Sequence, residues 1–426
     1  MPRSTLDVRL HRARADATAL ALPDDPVALR LAAGRAARDL PPGRSRLDAG
    51  GVDGDRLAAL VEGLVLGCYR FRVGGVTPVA AAPTRVDLCG ADDADALARG
   101  LAAAEATTWA RDLANTRAGT KTPAWLGAQA QRVLGPLGVR VDVRDEAWLA
   151  EQGCGGILAV GGGSASPPRL IEATWRPRGS AAGPHLVLVG KGITFDTGGV
   201  NLKRGDGART MFTDMSGGAA VLGAMRHVAS ARVPVRVTAL VPAAENALSG
   251  SSYRPSDVVR HYGGRTSEIT NTDAEGRIVL ADALAYAAAR LRPTAIVDIA
   301  TLTGAMKLAL GLRTGGLLAT SDDLADELLA AGAATGEPLW RLPLSADYEH
   351  TLRSDVADAN NSPGNPGGIT AGLFLQPFVG DLPWAHLDIA GPARAAEDSD
   401  ILSVGATGFG ARLLARWAQS RAQSRA

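Results

Sequence analysis

The chain has 426 residues, 46% of them hydrophobic and 21% charged, with 45 Lys+Arg set against 44 Asp+Glu for a formal net charge of +1. That balance excludes a disordered or fibrous chain and offers no overall basic surface to a polyanion. Cys68, Cys89 and Cys154 are scattered without a CxxC pair, which fits a reducing compartment and no disulfide framework. No apolar run reaches the roughly 18 residues of a membrane-crossing helix, so a cytoplasmic protein is expected.

Residues 1–95 alternate Ala/Arg-rich pieces with turn clusters such as LPPGRSR and DAGGVDGD, and offer YRFRV and TRVDL as short strands. The early arginines are interrupted by Asp7 and Asp16, and the one apolar patch, ATALALP, is too short and mixed for a signal peptide. Arg35, Arg38, Arg44 and Arg46 form the best basic cluster and read as a solvated loop around Pro41 and Pro42. From about Asp92 to Ala114, Leu97, Leu101, Ala104 and Trp109 recur near helical spacing. The expected organisation is an abbreviated N-terminal domain over 1–95, a connecting helix over 96–117 and a larger domain over 118–426.

In the larger domain, apolar runs at 185–190, 235–243, 294–302 and 315–320 alternate with helical patterns at about 124–135, 215–229, 279–291 and 322–333. Such alternation predicts an α/β fold: a small N-terminal α/β domain plus a domain whose mostly parallel central sheet is covered by helices. Sites in such sheets gather beyond the carboxyl ends of the strands.

Polar residues concentrate where those ends are predicted. HLVLVG runs into KGITFDTGGVNLK, with Lys191, Asp196 and Lys203, and TDMSGGAA then places Asp214 at the start of a small-residue helix. NTDAEGR adds Asp273, Glu275 and Arg277 before another helical run. Taken singly, an Asp-x-Glu before a helix is a turn and a cap. Taken together, four carboxylates on one rim repel one another unless cations lie between them. Two divalent ions about 3.5–4 Å apart, bridged by a carboxylate, resolve that repulsion. Asp273 and Glu275, two apart on an extended segment, would face the same way. The glycines beside them permit close backbone approach. A lysine amine binds a metal only after losing its proton; a lysine that keeps it can instead hold a developing oxyanion. Either role is open to Lys191 and Lys203.

The six histidines form no HExxH and no close pair, against a histidine-ligated zinc site. A P-loop, a GxGxxG dinucleotide fingerprint and a GxSxG elbow are also missing.

VGKGITFDTGGVNLK, TDMSGGAA, VPAAEN, YRPSDVV, NTDAEGRIVLADALAYA and VDIATLTGA together resemble, in order and spacing, the leucyl (cytosol) aminopeptidase family of dinuclear metallopeptidases. The resemblance covers about residues 96–415, from RDLANTRAGTKTP to HLDIAGPA and ATGFGARLL, and GLVLGCYRF at 63–71 also looks familial. It implies a two-metal hydrolase acting at the free N-terminus of peptides, with zinc, manganese or magnesium. Lys191, Asp196, Asp214 and Glu275 would surround one ion, and Asp196, Asp273 and Glu275 the other. Lys203 and Arg277 would be the catalytic pair, with a bicarbonate on Arg277 as general base and a metal-bridging water as nucleophile. Met211, Thr301, Gly304 and residues 390–393 match the pocket for the first side chain, with leucine or another apolar residue preferred. The resemblance also implies a homohexamer.

The chain departs from the family's pattern in the charged, glycine-rich stretch between Lys203 and Asp214, and at Phe212, where a basic or polar residue is common. The N-terminal part is short. Two other roles compete with peptidase activity: a DNA-binding accessory protein and a catalytically silent scaffold. The near-zero charge speaks against the first, so nucleic acid and membrane partners are not expected. Retention of all seven polar site residues speaks against the second.

Overall fold

The computed structural model describes residues 6–20, 22–72, 83–180 and 183–423. They form two compact units: 1–109 with 395–407, and 110–394 with 408–426. The break at 109 falls within the helix expected to connect the domains. Residues 395–407 differ from the expected division, because they pack with the first unit and not with the rest of 118–426.

In the first unit, β1 (Asp7–His11), β2 (Gly43–Asp48) and β3 (Pro83–Cys89) form a parallel sheet in the order β1-β3-β2. The helices are α1 (Pro26–Asp39), α2 (Gly54–Gly67) and α3 (Ala94–Asn115), which runs on into the second unit. Asp25 caps α1, its carboxylate accepting from the Ala28 N–H, with Pro26 in the first turn. Glycines let α1 and α2 approach closely: a Cβ at Gly63 would fall 2.3 Å from the Arg30 carbonyl oxygen. The core here gathers Leu29, Leu57, Leu60, Leu64, Val86 and Leu88, and Ile401 from the returning segment. TRVDL lies in β3. YRFRV forms no strand over Tyr69–Arg72, and Val73 lies outside the described residues. The Cys68 and Tyr69 N–H groups bond back to the Leu64 and Leu66 carbonyls, so this stretch is the exit of α2.

The basic cluster is likewise not a solvated loop. Arg35 and Arg38 sit on α1 and pair with Asp400 and Asp398; Arg44 and Arg46 sit on β2 and pair with Asp87 and Asp16. Each guanidinium is neutralised locally.

The second unit runs α4 (Pro123–Leu134), β4 (Arg140–Arg144), α5 (Glu146–Gln152), α6 (Gly155–Gly161), β5 (Arg169–Trp175), β6 (His185–Gly190), β7 (Gly192–Asp196), α7 (Ser216–Ser230) and β8 (Arg236–Asn246). It continues with β9 (Val258–Arg260), β10 (Thr266–Glu268), α8 (Glu275–Tyr286), β11 (Ala295–Ala300), α9 (Gly304–Leu310), β12 (Gly315–Ala319), α10 (Asp322–Thr335), β13 (Leu339–Arg341), β14 (Ala359–Asn360), α11 (Gly367–Leu375), β15 (Trp384–Asp388) and α12 (Ala411–Gln423). The central sheet has the order β13-β12-β15-β11-β6-β8-β5-β4, with β7 also on β8. Its middle, β15-β11-β6-β8, is parallel throughout, while the β12/β15, β5/β8 and β4/β5 pairs are antiparallel.

Every residue of β6 and β11 is buried, as expected of strands covered on both faces. The small residues of α7 serve that covering: a Cβ at Gly217 would lie 2.0 Å from the Ile299 carbonyl oxygen of β11. The helix therefore packs on the sheet at backbone distance. No helix among the described residues is long and apolar enough to cross a membrane.

Candidate metal centre

β6, β11 and β15 end in register while β8 runs on to pair with β7, and the motifs of Lys191 and Asp196 leave from the ends of β6 and β7. Lys191 follows β6 directly; its N–H bonds to the Ile299 carbonyl and its carbonyl accepts from Gly218 N–H, pinning it between β11 and α7. Asp196 closes β7. Asp214 lies between a 3-10 segment, Gly205–Thr213, and α7. Glu275 is the first residue of α8 and Arg277 stands in the same turn. The loop before α8 comes from β10 of a separate small sheet, β14-β10-β9, rather than from the central one. Nor is it extended at Asp273–Glu275: the Ala274 N–H bonds to the Asn271 carbonyl and Ala274 has φ −102°, ψ 41°, so a turn enters the helix there.

Asp196, Asp214 and Glu275 are all buried, and one carboxylate oxygen from each lies within 4.8 Å of the others. Asp273 stands outside this tight group and is joined to it through Lys203, whose Nζ lies 2.8 Å from Asp196 Oδ2 and also contacts Asp273 Oδ1. Lys191 is fully enclosed. Its Nζ faces four oxygens: Asp214 Oδ1 at 3.0 Å, Asp214 Oδ2 at 2.9 Å, Glu275 Oε1 at 2.8 Å and the Thr301 carbonyl at 3.0 Å. An ammonium has three protons, so this group is oversubscribed. Asp214 Oδ2 and Glu275 Oε1, although within ion-pair distance of Lys191, receive no hydrogen bond of proper geometry.

Burial pushes the Glu275 and Asp214 carboxyls above their usual range, Asp196 adding to the rise and the lysines opposing it. Burial also raises Asp273, against the pull of Lys203. For Lys191 and Lys203 burial works against the charge, but the neighbouring carboxylates outweigh it and hold both above the ordinary lysine value. Four carboxylates and two ammonium groups leave a formal charge of −2. Orphaned, buried carboxylate oxygens converging on one point are the donor set of a hard divalent cation, so these residues fit such ions. No histidine belongs to the cluster among the described residues.

Arg277 is buried, and its Nη1 has no hydrogen-bond partner. Its guanidinium stands 5.9 Å from the centre of the Phe374 ring. Burial lowers its pKa to about 10, with Glu275 and Asp388 pulling it upward. Of the residues expected to form the pocket, Thr301 is brought to the acids, donating from Oγ1 to Asp214 Oδ1 at 2.7 Å. Met211 is half-buried, its carbonyl accepting from Asp214 N–H at 3.2 Å. Gly304 is exposed at the start of α9. Residues 390–393 approach through Asp388, whose carboxylate accepts from Leu302 N–H, Thr303 N–H, Thr303 Oγ1 and Ala390 N–H.

A set of neutral side chains that sequence reasoning did not single out holds the acids. Asn246, at the end of β8, donates from Nδ2 both to Asp196 Oδ1 at 2.8 Å and to the Thr272 carbonyl at 3.0 Å. Tyr253 donates to that same carbonyl at 2.8 Å. Asn361 is wholly buried; its Oδ1 accepts from the Thr270 and Asn271 N–H groups and its Nδ2 donates to the Asn271 carbonyl. Asn246 and Tyr253 lie in the quoted motifs VPAAEN and YRPSDVV, which was a usable signal. Asn361, in the turn-rich stretch NNSPGNPGG, offered none.

Residues 108–415 match the cytosol aminopeptidase family, catalytic domain. A probable cytosol aminopeptidase of Leifsonia xyli subsp. xyli is 47% identical over 397 residues, covering 88% of this chain and 78% of that protein. One of Geobacter sulfurreducens is 45% identical over 377 residues, covering 87% and 76%. Among solved structures, the bottromycin maturation enzyme BotP in complex with Mn is similar with a TM-score of 0.88 and 37% identity, covering 99% of this chain and 100% of that one. The cytosol aminopeptidase from Coxiella burnetii gives a TM-score of 0.83 and 36% identity, covering 93% and 85%.

Proposed function

The chain belongs to the cytosol aminopeptidase family and is a metal-dependent aminopeptidase of the leucyl aminopeptidase type; from that premise we propose that it removes apolar N-terminal residues, leucine preferred, from peptides with a free amino terminus. The observation that carries this reading is the buried convergence of Asp196, Asp214 and Glu275, with the Lys191 amine against Asp214 and Glu275. Lys191, its proton displaced on metal binding, would hold one ion with Asp196, Asp214 and Glu275, and Asp196, Asp273 and Glu275 would hold the other. Bound there, the ions would supply Lewis acidity to the scissile carbonyl and acidify the attacking water at neutral pH. Manganese is favoured for at least one position by the Mn in the BotP complex; zinc and magnesium are the competitors.

The chain's own groups do the rest. Lys203 sits between Asp196 and Asp273 with its charge maintained, placed to hold the oxyanion that forms as the carbonyl becomes tetrahedral. Arg277, with Nη1 unpartnered, holds a small anion, and bicarbonate there would take the proton of the attacking water. Thr301, Met211 and Gly304 line the pocket for the first side chain. An apolar pocket discriminates by only about 1–3 kcal/mol per methylene, so neighbouring apolar residues are also accepted. The family resemblance further supports a homohexamer, to be read from molar mass in solution, and the three free thiols support a cytoplasmic setting.

Hydrolysis of leucine amide by metal-stripped protein, with manganese, zinc and magnesium restored separately, tests the reading. Metal-restored cleavage of the free amine, with none of the N-acetylated substrate, is the expected result. Folded, metal-loaded protein that cleaves neither would return weight to the scaffold and DNA-binding readings.

A second reading concerns the substrate. The similarity to the bottromycin maturation enzyme BotP, at 37% identity and a TM-score of 0.88, supports a maturation step on a particular peptide product as the alternative to general peptide turnover. Cleavage of many unrelated dipeptides at comparable kcat/KM would count against it.

A further inference from the structure

Lys121 lies in RDLANTRAGTKTP, between α3 and α4, and is 1% exposed. Among the described residues no carboxylate lies within ion-pair distance of it. Its Nζ donates to two backbone carbonyls, Ala114 at 2.9 Å and Phe212. Burial pushes its pKa down to about 7, Arg117 adding to that fall and Asp214 opposing it. A buried amine served only by carbonyls costs stability relative to an apolar side chain of the same length. The position it secures is therefore where its benefit must lie.

That position is gripped twice. The Arg117 guanidinium stands 4.0 Å from the centre of the Phe212 ring, within cation–π range. Arg117 and Lys121 belong to one tight turn, in which the Thr120 and Lys121 N–H groups both bond to the Arg117 carbonyl. The next residue, Thr122, caps α4 through the Trp125 N–H, which anchors the turn. The segment held in this way has little packing of its own: within Gly205–Thr213 only Thr213 is buried, and the Cβ positions of Gly205 and Gly207 open on empty space. Phe212 is its tether, and Met211 is the adjoining residue.

We propose that Lys121 and Arg117 clamp Phe212 by its carbonyl and its ring, and so fix Met211 and determine which N-terminal side chain the enzyme accepts. Lys121 is a positioning residue, not a catalytic one. The inference rests on the aminopeptidase reading and on Met211 lining the pocket.

The test compares kcat and KM for alanine, valine, leucine and phenylalanine amides in manganese-loaded wild type and in Lys121→Met, which keeps the stem and removes the donors. Bound metal and Tm are measured alongside. The leucine-to-alanine ratio of kcat/KM is expected to move about three- to tenfold, chiefly through KM, with metal content unchanged and Tm equal or higher. An unmoved ratio, or a change accounted for by lost metal, overturns the clamp. Arg117→Gln, Phe212→Leu and their double variant do not depend on how Lys121→Met folds. Each single should shift the ratio in the same direction, and the double by no more than either alone. Additive or opposite shifts overturn the clamp as well. A wild type that cleaves none of the amides fails at the aminopeptidase reading itself, a result separate from an active wild type whose selectivity is not moved by the variants.

Discussion

Gly276 faces Lys191 so closely that a Cβ on it would fall 2.7 Å from Lys191 Cε and 2.8 Å from Nζ. The glycine of NTDAEGR is thus required by a lysine that follows a different strand. Lysine ends usually yield to a neighbour, but this one is fixed by Asp214, Glu275 and the Thr301 carbonyl. Gly276→Ala should fold with a Tm near wild type and lose metal affinity about 10–100-fold, as supporting residues of metal sites do. Competition with a graded chelator measures this. Unchanged affinity would show that Lys191 can move without cost.

Lys203 contacts the other two acids, Asp196 and Asp273, and its proposed work is on the transition state. Lys203→Ala should keep near-normal metal content and lose about 10²–10³ in kcat. Metal analysis beside steady-state kinetics separates the two roles. If the variant is depleted of metal, Lys203 is a counter-ion for Asp196 and Asp273 and not an oxyanion holder.

Asn361 satisfies two N–H groups and a carbonyl in the loop that carries Asp273 and Glu275. Asn361→Ala removes the acceptor of the Thr270 and Asn271 N–H groups, while the Asn271 carbonyl keeps the Ala274 N–H; an unsatisfied group costs about 1–3 kcal/mol when buried, and less where water can replace the lost partner. Denaturant unfolding should show a loss of up to that size, together with faster metal release. Loss of stability with wild-type release kinetics would place Asn361 in the scaffold alone.

The pH dependence of stability should carry the signature of His185. It is buried at the start of β6, with Nδ1 near the Leu291 carbonyl and Nε2 near Thr238 Oγ1. Burial, then Arg236 and Arg176, lowers its pKa to about 4. The folded pKa lies below the unfolded one, so the unfolded chain binds the extra proton. Its contribution is whole above about pH 6.5 and is lost as pH falls toward 4, on the order of 2–3 kcal/mol. Chemical denaturation of wild type and His185→Gln between pH 4 and 7.5 should give a shallower slope for the variant. Parallel curves would show that His185 does not set the slope.

The alternation of strand and helix was legible because β6, β8 and β11 are covered on both faces and so read as unbroken apolar runs between turn residues. The acids were legible because each stands within three residues of a glycine, Gly198, Gly217 or Gly276, where a Cβ would meet neighbouring atoms at 3.0 Å or less. The geometry between them was not. Asp273 and Glu275 look alike on an extended segment, yet the turn at Ala274 puts Glu275 in the tight cluster and leaves Asp273 outside it. YRFRV alternates like a strand, but the N–H groups at its start are already committed to α2. The pairing of Arg35 and Arg38 with residues near 400 depends on chain return, which no local pattern encodes.

That return bears on the order of events during synthesis. Arg38 bonds to the carbonyls of Asp400 and Leu402, and Ile401 lies against α1 where a Cβ on Gly34 would be 2.6 Å from its Cγ2. The segment that carries α1 is therefore made well before residues 400–402, and waits for them before its own small core is closed. A fragment cut at residue 109 would carry the sheet and both early helices with that side of α1 bare, so the N-terminal unit is not a module that can be lifted out or grafted by its own contiguous sequence.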